Sequence, residues 1–130
     1  FTDLQASFGI AQMKKLPFIV LHKKELFRWY KRHLKRFVDF IATDLDHVTP
    51  TYPEILVSKR DKLVEELRAE KIGCRAVYDS LCNQPFHSKW KTATPVTDEL
   101  ASRGLHLPAQ FDLREEDVKK ICDVIKNHAA

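Results

Sequence analysis

Between Gly73 and Trp90 the chain gathers Arg75, Tyr78, Asn83, Gln84, His87, Lys89 and Trp90, its densest run of side chains able to do chemistry. A guanidinium at Arg75 can clamp an anion, because its fork of N–H donors matches a carboxylate or a phosphate. Tyr78 and Gln84 can hydrogen-bond a sugar or a base. Cys82 and His87 have the types of a nucleophile and its base, but no third residue orients the pair and no oxyanion feature accompanies it. Long loops on small domains carry binding residues or simply connect, and both readings stay open for this one.

Other chemistries are poorly supplied. The histidines at 22, 33, 47, 87, 106 and 128 and the cysteines at 74, 82 and 122 show no zinc-site spacing, so no metal is expected. A Walker loop, a G-x-G-x-x-G and a G-x-S-x-G are all missing. Three Cys without a C-x-x-C read as free thiols in a reducing compartment. The apolar run "LPFIVLH" falls short of the ~20 residues that cross a bilayer. A soluble, cytoplasmic protein without a membrane partner is the expectation.

The 130 residues carry a formal net charge of +4, unevenly spread. Residues 22–36, "HKKELFRWYKRHLKR", are dense in Lys and Arg, with Glu25 their one acid. Such a helix can meet nucleic acid, an anionic membrane or a phosphate-bearing ligand. Its cations are spread round the helix, however, which suits a solvated face. Nucleic acid is further disfavoured because interleaved stacking aromatics are lacking.

The elements that must position these residues follow from periodicity and punctuation. Thr2 and Gln5 have capping-box spacing and start a first helix, expected to run to Leu16. Pro17 suits the first turn of a second helix, expected to end before Thr43. Tyr52–Val57 reads as a strand, with Pro53 at its start or on an edge. Ser58 with Asp61 then caps a third helix, and Gly73 sits where a left-handed C-terminal turn favours glycine. "CRAVY", residues 74–78, alternates as a second strand. Residues 79–93 form the loop, Thr94 and Pro95 open a short helix ending at Gly104, and "LHL" at 105–107 is a third strand. Asp112 and Glu115 box the start of a last helix with an apolar face of Leu113, Val118, Ile121, Cys122 and Ile125. The expectation is an α+β fold, with about three short strands, antiparallel or mixed, and helices packed on one face. The other sheet face then stays open for packing on something else.

Several phrases together resemble one family. "FTDLQASFGIAQMKKLP" is similar to the "N-x-[RK]-[MF]-T-D-L-Q-A-A-x-G-x-A-Q-L-x-x-L" of the DegT/DnrJ/EryC1/StrS aminotransferases. "RDKLVEELRAEKIGCRAVY", "NQPF" and "DELASRGLHLPAQFDLREEDVKKICDVI" resemble that family's later phrases in the same order, so the resemblance covers essentially the whole chain. It implies the C-terminal part of a pyridoxal-phosphate-dependent enzyme that transfers an amino group from an amino acid, with glutamate the expected donor, to a keto-sugar nucleotide. The fold it implies is the C-terminal domain of fold-type-I enzymes. Residues 1–42 would be a helical segment packing on a missing large domain, and residues 43–130 the small domain. The Schiff-base lysine and the aspartate at the pyridine nitrogen would both precede Phe1, so no lysine here, neither Lys14 nor Lys59, is nominated as catalytic.

The same resemblance nominates site residues. Tyr78 and Gln84 match the family's sugar-binding loop, and Arg75 and His87 join them as substrate-binding candidates. Phe1, Thr2, Asp3 and Gln5 are the candidates nearest the cofactor and the dimer interface. The chain departs at Asp79, where relatives commonly have Pro, and at Cys82, where they commonly have a His; if that His helps hold the sugar, its loss implies a different sugar, a weaker contact, or His87 acting instead. Relatives also have Ser after "LP", where Ala109 and Gln110 stand here. Expected partners are a nucleotide-sugar, an amino-acid donor and a second subunit or the missing domain. A non-enzymatic binding or assembly module that reuses the domain is the alternative.

Overall fold

Leu26, Phe27, Tyr30 and Leu34 recur on one face of a helix, as do Val118, Ile121, Cys122 and Ile125 on another, and these two stripes meet. Spacings of three and four residues stack side chains along one side of a helix, which is why each stripe buries as a unit. The computed structural model describes residues 1–129. It contains α1 (Asp3–Met13), α2 (Leu16–Leu34), β1 (Asp39–Phe40), β2 (Glu54–Leu56), α3 (Arg60–Ala69), β3 (Arg75–Ala76), α4 (Pro95–Arg103), β4 (Gly104–His106) and α5 (Glu115–Ala129). Two 3-10 turns, Leu81–Asn83 and Pro85–Trp90, lie between β3 and α4.

The sheet has the order β1-β2-β4-β3 and every pairing is antiparallel. Ile55 faces Leu105 across the central pair, and both are fully buried with Leu63 and Leu67 of α3 and the stripes of α2 and α5. The α+β expectation therefore holds, with four strands in place of about three. The extra strand is β1. It falls where the second helix was expected to continue to Thr43, but that helix stops at Leu34. The following "FVDFI" is β-branched and aromatic, and it gains more from pairing with β2 than from another helical turn. Lys31 and Arg32 place cations in the last turn of α2, beside His33, where the helix dipole favours positive charge.

Three punctuation signals resolve differently from expectation. Ser58 does not cap α3. The cap position is Lys59 in the left-handed region (φ 54°), because Val57 is still held to Arg103 O at 3.0 Å and the chain must turn within one residue. Gly73 is not left-handed either. Lys71 takes that conformation (φ 59°), and the Lys71 and Ile72 N–H groups donate to Arg68 O and Leu67 O, closing the helix end two residues earlier. The Asp112–Glu115 box does not form. α5 starts at Glu115, and the Asp117 carboxylate accepts from the Arg114 N–H at 3.2 Å. By contrast the Thr2–Gln5 box is present in both directions.

Gly104 opens β4 beneath α4. A Cβ there would meet Leu100 O at 2.6 Å and Val77 Cγ2 at 2.6 Å. Its φ of −75° suits any residue, so glycine is required here for space alone. At Gly73 nothing lies within 4 Å of an added Cβ. Gly104→Ala should therefore cost about 1–3 kcal/mol through overpacking, whereas Gly73→Ala should be neutral or stabilise by up to about 1 kcal/mol through the unfolded chain. Urea unfolding of the two variants checks the contrast, and equal midpoints would refute it.

Candidate functional site

The register of the central strands puts chemistry on the face turned away from the helices. Leu105 and Ile55 point into the core, so their neighbours in the ladder point outward. Glu54, His106 and Arg75 consequently line up across β2, β4 and β3. Tyr52 lies before β2 and Tyr78 beyond β3, with ring centroids 5.4 Å and 5.9 Å from that of His106. The Arg75 guanidinium sits 4.9 Å above the Tyr78 ring. Arg75 and Tyr78, nominated from sequence, are thus brought together by the structure.

Beside this row is a cleft of about 380 Å³, within the ~300–1,000 Å³ usual for ligand sites, lined among others by Lys23, Tyr52, Arg75, His106 and Gln110. Lys23 reaches it from α2. Its ammonium donates to Thr51 O at 2.9 Å and Ala109 O at 2.7 Å, and burial lowers its pKa. The Tyr30 hydroxyl donates to Pro108 O at 3.0 Å and ties the cleft wall to the core. A larger cleft of about 490 Å³, near Arg36, Lys59 and Arg103, contains none of the nominated residues.

The remaining nominated residues lie elsewhere. Gln84 joins the two 3-10 turns, and its carbonyl accepts from the His87 N–H at 3.0 Å. His87 stands between the rings of Phe86 and Trp90, at 5.9 Å and 5.8 Å. The segment read as a loop is therefore two turns with a defined path. Asn83 fixes that path by donating to Asp79 at 3.2 Å and to Asp98 of α4 at 3.0 Å. The hydroxyls of buried Ser80 and half-buried Thr94 are 3.1 Å apart in the same network. Asn83 thus serves the scaffold. Phe1 is fully exposed, while Thr2, Asp3 and Gln5 form the start of α1 and the cap.

Cysteine chemistry finds no support in the geometry. Burial pushes the Cys122 thiol up to about 12 and raises that of Cys74, which keeps both protonated at neutral pH. The Cys82 N–H is bonded to Ser80. Among the described residues no cluster of three His, Cys, Asp or Glu is placed to hold a metal ion. No described helix is long and apolar enough to cross a membrane. On the basic face of α2, Arg28 pairs with Glu25 and Arg32 with Glu115 of α5, so part of that charge is used within the fold.

His106 is the site residue that sequence reading passed over. It appeared only among the histidines weighed as metal ligands and as the middle of "LHL". The signal was its place between two leucines, which in a strand with a buried face sends the histidine to the opposite side.

Comparison with known proteins completes the description. The sequence model of the DegT/DnrJ/EryC1/StrS aminotransferase family matches residues 1–126. The chain belongs to this aminotransferase family. GDP-perosamine synthase from Escherichia coli O157:H7 is 26% identical over 129 residues, covering 95% of this chain and 35% of that protein. The GDP-perosamine synthase of Vibrio cholerae is 26% identical over 136 residues, with 98% and 37% covered. The crystal structure of a DegT DnrJ EryC1 StrS aminotransferase from Brucella abortus superposes with a TM-score of 0.84 at 26% identity, over 92% of this chain and 34% of that one. This family member therefore spans about a third of the length of the relatives it matches.

Proposed function

We propose that the chain is the C-terminal, substrate-facing part of a pyridoxal-phosphate-dependent aminotransferase acting on a nucleotide-sugar. The whole enzyme moves an amino group from an amino acid, glutamate in our reading, to the keto carbon of the sugar and releases the 2-oxo acid. The observation that carries this is the family match along residues 1–126. The three free cysteines suit a reducing compartment, and we place the enzyme in the cytoplasm.

This chain does not by itself fit the cofactor. Pyridoxal phosphate supplies an electron sink and relies on a lysine amine, with an acidic residue at its pyridine nitrogen. The cleft on the open face contains one lysine, Lys23, already bonded to two carbonyls, and neither Asp nor Glu lines it. What these residues offer is substrate recognition. Arg75 and Tyr78 would face a ligand on the open sheet, and Gln84 and His87 would contribute contacts from the separate 3-10 turns.

The first helix supports a missing large domain. α1 buries none of its residues, and Leu4, Phe8, Ile10 and Met13 are each at least 60% exposed. Phe18 and Leu21 continue the exposed apolar surface onto α2. Large apolar side chains exposed together mark a surface that packs on something else. We assign this surface to the large domain and to the second subunit of a homodimer, with Phe1, Thr2, Asp3 and Gln5 near the cofactor.

The test is amination of a keto-sugar nucleotide by the full gene product, with glutamate and pyridoxal phosphate, read by mass spectrometry. An amino-sugar nucleotide is expected, and none from the 130-residue chain alone. A full product that binds a partner protein but aminates no keto-sugar nucleotide would favour the assembly-module reading.

A further inference from the structure

The cleft of about 490 Å³ opens where four chain segments meet. The turn after α2 brings Arg36 and Asp39, the turn between β2 and α3 brings Ser58 and Lys59, the end of α4 brings Arg103, and the end of α5 brings His128. It shares no lining residue with the cleft of Lys23 and Arg75. Arg36, Lys59 and Arg103 are cations, against the one carboxylate of Asp39. Like charges gathered round one concavity repel, and a multiply charged anion between them relieves the repulsion.

Part of this arrangement is fixed in advance. Arg103 Nη1 donates to Glu99 at 3.0 Å, and its Nη2 lies 3.5 Å from Asp39. The His128 side chain, 4% exposed, stands between Glu66 Oε2 at 2.7 Å and Ser58 O at 3.1 Å, which pins the end of α5 to the start of α3. Arg36 and Lys59 have no ion pair among the described residues.

The backbone supplies an independent sign. Lys59 takes the left-handed conformation, φ 54° and ψ 40°, at the start of α3. That conformation is unfavourable for a residue with a Cβ and easy for glycine. Lys71 is left-handed too, but at the end of the helix, where such a turn closes on the last carbonyls. At a helix start the capping residue is normally extended, and its side chain accepts from the first N–H groups. Lys59 does neither, and α3 has no side-chain cap. Glycine would turn the chain here with less strain, so a lysine points to a task for its ammonium. The positive end of the α3 dipole lies at the same place.

We propose that this cleft binds a phosphate-bearing anion, with Arg36, Lys59 and Arg103 as its cations. Phe37, on the cleft wall and 48% exposed, offers a ring face to a nucleobase, so the phosphate is either free or part of a nucleotide. The inference does not depend on the aminotransfer proposed above.

The test is a calorimetric titration of the 130-residue chain, whose core is closed by its own residues, with inorganic pyrophosphate and with a nucleoside diphosphate. Proton NMR of the His128 ring, assigned with His128→Gln, reports the place of binding. Both ligands should shift the His128 signals. Lys59→Gly and Arg36→Gln should each weaken binding roughly tenfold or more, the loss expected of a charged hydrogen bond. Lys59→Gly should unfold at no lower a urea concentration than the parent, because the strain at that residue is relieved. Loss of binding without loss of stability separates a ligand contact from a structural role. Tighter binding of the nucleoside diphosphate marks a nucleotide site, and equal binding a site for free phosphate. The proposal is overturned if neither ligand moves the His128 signals, if Lys59→Gly binds as tightly as the parent, or if that variant unfolds earlier than the parent.

Discussion

Tyr30→Ala should lower the stability of the chain by about 3–5 kcal/mol, the usual cost of deleting a buried aromatic ring. Tyr30 is fully buried among Leu26, Leu34 and the residues of α5, and its removal opens a cavity where α2 meets α5. The hydroxyl adds a polar term. Burial pushes the phenol far above its ordinary range, with Cys122 adding to the effect, so the group keeps its proton and donates to Pro108 O. Tyr30→Phe leaves that buried carbonyl without its donor and should cost about 1–3 kcal/mol. The sign of the pH dependence follows from the raised pKa. The native chain holds a proton that the unfolded chain releases above the ordinary value of 10.0, so stability falls as pH rises past it. Tyr30→Phe should show a flatter fall there. Urea unfolding at neutral pH and at pH above 10 measures both, and parallel pH profiles for parent and Tyr30→Phe would contradict the assignment.

Much of this fold is legible because its signals are local. Thr2 and Gln5 announce α1, Pro17 the first turn of α2, and the stripe Val118, Ile121, Cys122, Ile125 the buried face of α5. Each lies within one helix and needs no knowledge of the rest. The departures lie at one strand that a distant partner decides and at two helix ends whose exact register the residue types do not fix. β1 exists because β2 is available to pair with it, so "FVDFI" could not be separated from a continuing helix by its own pattern. Lys71 rather than Gly73 turns left-handed because the end of α3 is set by its own carbonyls, Leu67 and Arg68. The last helix starts at Glu115, so the carboxylate that meets the N–H of the residue before it, Arg114, is Asp117, and the Asp112–Glu115 pair is out of register with the helix start.

The candidate site divides in the same way. Arg75 and Tyr78 are three residues apart in one extended segment, and their stacking was within reach of the sequence. His106 joins them only through strand pairing, 31 positions along the chain from its partner Arg75. Asn83, by contrast, looked like a ligand-binding side chain and proved to be an anchor between Asp79 and Asp98. A polar residue on a loop carries the same sequence signature for either task.

The largest effect expected of this protein is all-or-none, and it concerns where the cofactor is held. Lys23 is the lysine of the open cleft, and its amine is engaged by Thr51 O and Ala109 O with no acidic residue in the lining. The apolar side chains of α1 are exposed along its length, and in the proposed reading a cofactor-holding domain covers them. Borohydride reduction of the full gene product loaded with pyridoxal phosphate, followed by proteolysis and mass spectrometry, locates the lysine that carries the cofactor. The pyridoxyl label should fall on a lysine N-terminal to Phe1, with residues 1–130 unlabelled. A label on Lys23, Lys59 or any other lysine of this chain would contradict the division of labour proposed here.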